Sequence, residues 1–111
     1  MELEVNLKLS LLTEIYKNLL TNKQQSMLKD FLDNNLSISE LAQEQKISRQ
    51  AVNDLLKRTF KSLEDYEKKL GLLSKFESIK DDISNLKKSI NQDSITKEEL
   101  ISKLNKILEV L

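Results

Sequence analysis

No cysteine and no histidine occur in this chain. Disulfides, zinc sites built from nitrogen and sulfur, and His- or Cys-based nucleophile systems are thereby removed. Proline is absent and glycine occurs once, at Gly71. With Leu, Ile, Lys, Glu, Ser and Asn dominating, that scarcity predicts helices joined by short polar links rather than sheets. No apolar run approaches the ~18 residues needed to span a bilayer, and the opening Met1-Glu2-Leu3-Glu4-Val5 lacks the basic start of a secretory signal, so a cytoplasmic protein with no membrane insertion is expected. At 111 residues the chain has room for one modest core, or for one small domain with an appendage. An all-α protein is predicted.

Net charge is also lacking: 18 basic residues balance 18 acidic ones. The distribution is uneven. Residues 1–45 carry four lysines against seven acids, residues 46–61 carry Lys46, Arg49, Lys57, Arg58 and Lys61 against Asp54 alone, and residues 62–111 carry nine cations against ten acids. A neutral chain thus concentrates positive charge in one short segment, which is what phosphate contact requires.

That segment closes the stretch around which the chain is organised, Ser37 to Lys61. Ser37 stands three residues before Glu40, the spacing of a capping box, in which each side chain satisfies an amide at a helix start. Ser48 is a second candidate cap, ahead of Ala51, Val52, Leu55, Leu56 and Thr59, and Gln45-Lys46-Ile47 leaves room only for a turn. The pattern is helix-turn-helix, with motif helices over Ser39–Gln45 and Arg49 to about Leu70. Winding the second helix at 100° per residue places Val52, Leu55, Leu56, Thr59 and Leu63 in a core sector and Arg49, Gln50, Asn53, Asp54, Lys57 and Lys61 in an adjacent polar one. In a major groove, Arg49 can donate to guanine, Gln50 and Asn53 can pair with adenine, and Lys57 and Lys61 can reach phosphates. Ser48 and the neighbouring amides can hold a phosphate at the helix start. The plainer reading of such a stripe is a solvated surface on a protein-docking module.

Elsewhere, Leu7, Leu11, Leu12, Ile15, Tyr16, Leu19 and Leu20 predict a first helix over Val5–Leu20 with those residues on its core side. Thr21 with Gln24 opens a second, over Asn22–Asp33, with Met27, Leu28, Phe31 and Leu32 inward. Gly71, able to adopt a left-handed cap, marks a break. Beyond it Phe76, Ile79, Ile83, Leu86 and Ile90 form one narrow seam; Thr96 with Glu99 makes a third capping box before a second seam, Leu100, Leu104, Ile107 and Leu111. The expected organisation is a helical domain over 1–71 and a helical extension over 72–111, either closing on itself or holding a homodimer. The acidic pairs Asp81-Asp82 and Glu98-Glu99 point about 100° apart on helices and do not resemble a carboxylate dyad. No catalytic, metal or cofactor site is expected, and the aromatic residues read as core or interface.

Leu19-Leu20-Thr21-x-Lys23-Gln24, Phe31-Leu32-Asp33-x-x-Leu36-Ser37-Ile38-x-Glu40-Leu41-Ala42, Ile47-Ser48-Arg49-Gln50-Ala51-Val52-x-Asp54 and Lys57-Arg58 together resemble the YlxM family of small bacterial proteins, whose core is similar to region 4 of sigma factors. The resemblance covers about residues 1–90, and the tail from Asn91 to Leu111 has no recognised counterpart. It implies a helix-turn-helix protein, usually encoded beside the GTPase of the signal recognition particle and proposed to regulate that targeting pathway. It also places Ser48, Arg49, Gln50, Asn53 and Lys57 where they would face DNA; Arg58 and Lys61 complete the candidate nucleic-acid-binding set. The implied partners are DNA or signal recognition particle RNA, with docking on the particle's GTPases as the alternative. Related motifs often carry glycine where this chain has Lys46; if that position needs a positive φ, the lysine costs on the order of 1 kcal/mol.

Overall fold

The computed structural model describes residues 2–111, with side chains from Leu7 onward; the acidic opening over residues 1–5 therefore lies outside the described side chains. Six helices account for nearly all of the chain: α1 (Glu2–Tyr16), α2 (Asn22–Leu32), α3 (Ile38–Gln45), α4 (Arg49–Leu70), α5 (Leu72–Asn91) and α6 (Lys97–Val110), with a 3-10 turn at Lys17–Leu19. No strand occurs among the described residues. The all-α expectation holds, and the boundaries of α4 fall where the caps Ser48 and Gly71 place them. Two compact units result, Met1–Leu73 and Ser74–Leu111.

In the first unit α1, α2 and α3 each pack on α4. Their shared core joins Leu12, Tyr16, Leu20, Met27, Leu28, Leu41, Ala42, Val52, Leu56, Leu63 and Leu73. Thr59 belongs to the same buried side of α4; its hydroxyl donates to the Leu55 carbonyl at 2.8 Å, so its burial leaves no polar atom without a partner. Phe31 and Phe60 meet at the edge of this core in a tilted pair with centroids 6.2 Å apart.

The capping boxes at Thr21–Gln24 and Ser37–Glu40 form in both directions. The third does not. Thr96 accepts from the Glu99 amide, but its hydroxyl also donates to Glu99 Oε1, both at 3.1 Å. The carboxylate thus takes the hydroxyl proton in place of the Thr96 backbone amide.

The first helix departs from expectation in length and in facing. It ends at Tyr16, tightens into the 3-10 turn, and delivers Leu20 in an extended conformation. Its buried line is Leu9, Leu12, Tyr16 and Leu20, whereas Leu7, Leu11 and Leu19 are exposed. Only one narrow side of this helix meets α2 and α4, so leucines on its flank stay in water although their spacing is helical.

Tyr16 ties the two ends of the unit together. Its hydroxyl donates to Glu67 Oε1 at 2.7 Å and accepts from the Leu72 amide at 3.2 Å, while the Leu73 amide donates to the same carboxylate oxygen at 2.9 Å. Gly71, at φ 62°, turns the chain so that α5 starts one residue after α4 stops. The first amides of α5 then find their acceptors on Tyr16 and Glu67 instead of on a cap of their own. Burial, and then the bond to the Glu67 carboxylate, raise the Tyr16 phenol above its ordinary 10.0, so it remains a donor.

Tyr16→Phe removes a buried donor and leaves Glu67 and the Leu72 amide each short of a partner; urea denaturation near neutral pH is expected to show a loss of about 1–3 kcal/mol. Because the folded phenol titrates above its unfolded value of 10.0, wild-type stability from this group is full below that pH and is lost as pH rises through the folded value. The difference between wild type and variant should therefore shrink above pH ~10.

Candidate nucleic-acid interface

The turn between α3 and α4 is built on Lys46. That residue sits in the left-handed region at φ 57° and ψ 42°. Its amide donates to the Gln43 carbonyl at 3.3 Å and the Ile47 amide donates to the Ala42 carbonyl at 3.1 Å, the bond pair of a Schellman cap. Ile47, partly buried, then packs into the core to which Ala42 belongs, the apolar contact that accompanies this cap. The positive φ is thus real, and Lys46 occupies it without the freedom of glycine. Hydrogen bonding and the Ile47 anchor hold the turn against that cost.

Ser48 follows with extended backbone, and its Oγ accepts from the Ala51 amide at 3.0 Å. Residue N3 is an alanine, so no reciprocal bond forms and Ser48 acts as a single cap. Helix α4 leaves this cap with Val52, Leu56, Thr59 and Leu63 buried and Leu55 partly so. The remaining surface must face outward. Ser48, Arg49, Gln50, Lys57, Arg58 and Lys61 are exposed, and Asn53 is half-buried. All seven sit on the cap and first four turns of one helix, so the structure gathers every sequence-predicted residue on one element. Winding sets Gln50, Asp54, Lys57 and Lys61 along the middle of the outward side, with Asn53 and Arg58 at its two edges and Arg49, in the first turn, past Asn53 toward the core side.

The cations of this face are uncommitted. Arg49, Lys57, Arg58 and Lys61 make no ion pair or hydrogen bond with the described residues. Gln50 does: its Nε2 donates to Asp54 Oδ1 at 3.2 Å, one turn along. A predicted contact residue and the only acid of the segment are therefore coupled on the surface, with Asp54 standing among the lysines. Lys46, left out of the predicted set although counted in its charge, is exposed in the turn beside Ser48. Its place was legible in the charge run but not in any helical periodicity, because it lies between helices.

A four-helix core whose last two members are a short helix and, after a capped left-handed turn, a longer helix presenting a polar, cationic side defines a helix-turn-helix protein. The chain belongs to the UPF0122 family, whose model, described as "Putative helix-turn-helix protein, YlxM / p13 like", matches residues 3–107. It is 38% identical over 105 residues to a UPF0122 protein of Halalkalibacterium halodurans, covering 95% of each chain. A UPF0122 protein of Shouchella clausii is 37% identical over 107 residues, covering 95% of this chain and 98% of its own. One from Bacillus cereus is 40% identical over 98 residues, covering 88% and 89%. The match through residue 107 corrects the sequence reading in one respect. The family pattern does not stop near residue 90 but takes in most of α6, so the tail is part of the shared fold. Its seam of spaced leucines and isoleucines carries no local string as recognisable as that of the motif.

If the left-handed turn bears the strain described, Lys46→Gly should stabilise the protein by up to about 1 kcal/mol, while Ser48→Ala should cost about 1 kcal/mol through loss of the cap. Urea midpoints of the two variants against wild type measure both effects.

Proposed function

We propose that this chain is a non-enzymatic regulatory protein that contacts nucleic acid through the outward side of α4. The observation that carries this reading is the set of four exposed cations, Arg49, Lys57, Arg58 and Lys61, with no partner among the described residues, on the helix that follows the turn. Unpaired cations on one exposed helix release counterions when phosphates replace water and salt, so affinity follows even in a chain of zero net charge. Arg49 and Asn53, near the helix start, are the residues best placed for base edges; Lys57, Arg58 and Lys61 serve phosphates further along. The family description, a helix-turn-helix protein, supports the class. The resemblance to the YlxM family supports a role in the signal recognition particle pathway. Duplex DNA suits a helix in the major groove, whereas A-form RNA has a major groove too narrow for one, so binding to the particle's RNA would run through loops or backbone.

A second reading is favoured by one observation: Asp54 lies within the stripe and engages Gln50. A face built to dock on the particle's GTPases tolerates that carboxylate, whereas a phosphate-facing one is weakened by it.

Fluorescence anisotropy with labelled duplex DNA and with signal recognition particle RNA, each at two salt concentrations, separates these readings. Combining Arg49→Ala, Lys57→Ala and Arg58→Ala is expected to lower affinity by about 10–100-fold at moderate salt and to reduce the salt slope by about 2–3. Asp54→Asn should raise affinity several-fold. Wild-type protein that binds neither nucleic acid at low salt overturns the proposal, and binding to the particle's GTPases undiminished by the triple variant favours docking instead.

A further inference from the structure

The second unit, residues 74–111, is short of core. Helices α5 and α6 are joined by the short link over residues 92–96, which makes them antiparallel neighbours. Leu86 and Ile107, at 5% and 8% exposure, are its buried side chains and line one cleft between the two helices. Ile79 and Leu100, next to them along the helices, are partly buried, and the apolar residues to one side are open. Phe76, Ile83 and Ile90 on α5 are 47%, 44% and 47% exposed, and Ile101, Leu104 and Leu108 on α6 are 48%, 44% and 65% exposed.

Winding displaces these six residues in the same rotational sense from Leu86 and from Ile107. In antiparallel helices that brings both sets to one side of the hairpin. Side chains of this size, each about half exposed, present roughly 500 Å² of apolar surface, the scale at which a patch on a single chain is functional. A stretch of fewer than about 40 residues rarely holds its fold without a disulfide, a metal or a partner chain. This one has no cysteine, and no cluster of three metal-ligating side chains occurs among the described residues.

We propose that a second copy of this chain covers this side of the hairpin, setting α5 of each copy beside α6 of the other in a two-fold, four-helix arrangement. The apolar area selects a second copy over other occupants. A symmetric pair would remove about 1,000 Å² from water, the lower bound for a specific interface. The borders differ in charge. Lys80 and Lys87 follow the outer edge of the patch on α5, whereas on α6 Glu98 and Glu109 lie beyond the patch on the far side of the helix and Lys97 falls inside it, all five exposed. Charge at the borders therefore does not set the pairing, which rests on the apolar area. This inference is independent of what the outward side of α4 binds.

Sedimentation equilibrium of the full chain tests it. Wild type is expected to dimerise, and Leu104→Glu, at a position already open in the single chain, to weaken the dimer by about 100-fold with helicity unchanged. A wild-type chain that stays monomeric at about millimolar concentration overturns the proposal. So does a dimer whose dissociation constant is the same in wild type, Leu104→Glu and Ile83→Glu.

Discussion

One apolar stripe on α4, formed by Val52, Leu56, Thr59 and Leu63, is the constraint on which the first unit depends. Three other helices bury their inner residues against it, and each fully buried leucine or valine contributes about 1.5–3 kcal/mol relative to exposure. Because α4 spends one side on that core, its opposite side has no alternative to solvent. The positions left over carry Arg49, Lys57, Arg58 and Lys61. The core and the candidate interface are thus two sides of one helix, and the burial of the first dictates the orientation of the second.

Two left-handed residues control where that helix begins and ends. Lys46 reverses the chain ahead of it and Gly71 reverses the chain behind it, both with φ near 60°. They differ in what supports them. A Cβ added at Gly71 would meet nothing within 4 Å, so glycine there answers a backbone need and not a packing one. At Lys46 the same backbone is held by two carbonyl acceptors and by Ile47 seated in the core. Of the two other left-handed residues, Asn35 and Asp93, the latter closes α5 with the bond pair seen at Lys46, the Asp93 amide to Ile90 and the Ser94 amide to Ser89. This chain therefore ends helices with Schellman geometry using lysine and aspartate where glycine is commoner, and relies on hydrogen bonds to hold it.

The two units differ in how far they satisfy their own hydrophobic residues. The first gathers side chains from four helices into one core, whereas the second buries Leu86 and Ile107 and leaves a row of apolar side chains on each helix about half exposed. Two helices offer only one line of mutual contact, which is too little to cover an apolar side as wide as that of α5. Periodicity alone reads the same in both units. The difference arises from the number of helices available to share the burial.

Much of this was legible in the sequence. Capping spacings at Thr21, Ser37 and Ser48, the lone glycine, and the 3.6-residue pattern of α4 marked the helices and the candidate face, because capping and winding are local and depend on residues three or four apart. The flank leucines of α1 were misassigned for the same reason: helical spacing states which residues share a side, and only packing states how wide the covered side is. The coupling of Gln50 to Asp54 was within local reach, but the junction of Tyr16 with Glu67, Leu72 and Leu73 was not, since it joins residues more than fifty positions apart. The sequence by itself determined the helices, their ends and the charge of α4. The tertiary structure decided which side of each helix is wet, and so which cations are free and which seams remain uncovered, because burial is a property of neighbours that a chain acquires only on folding.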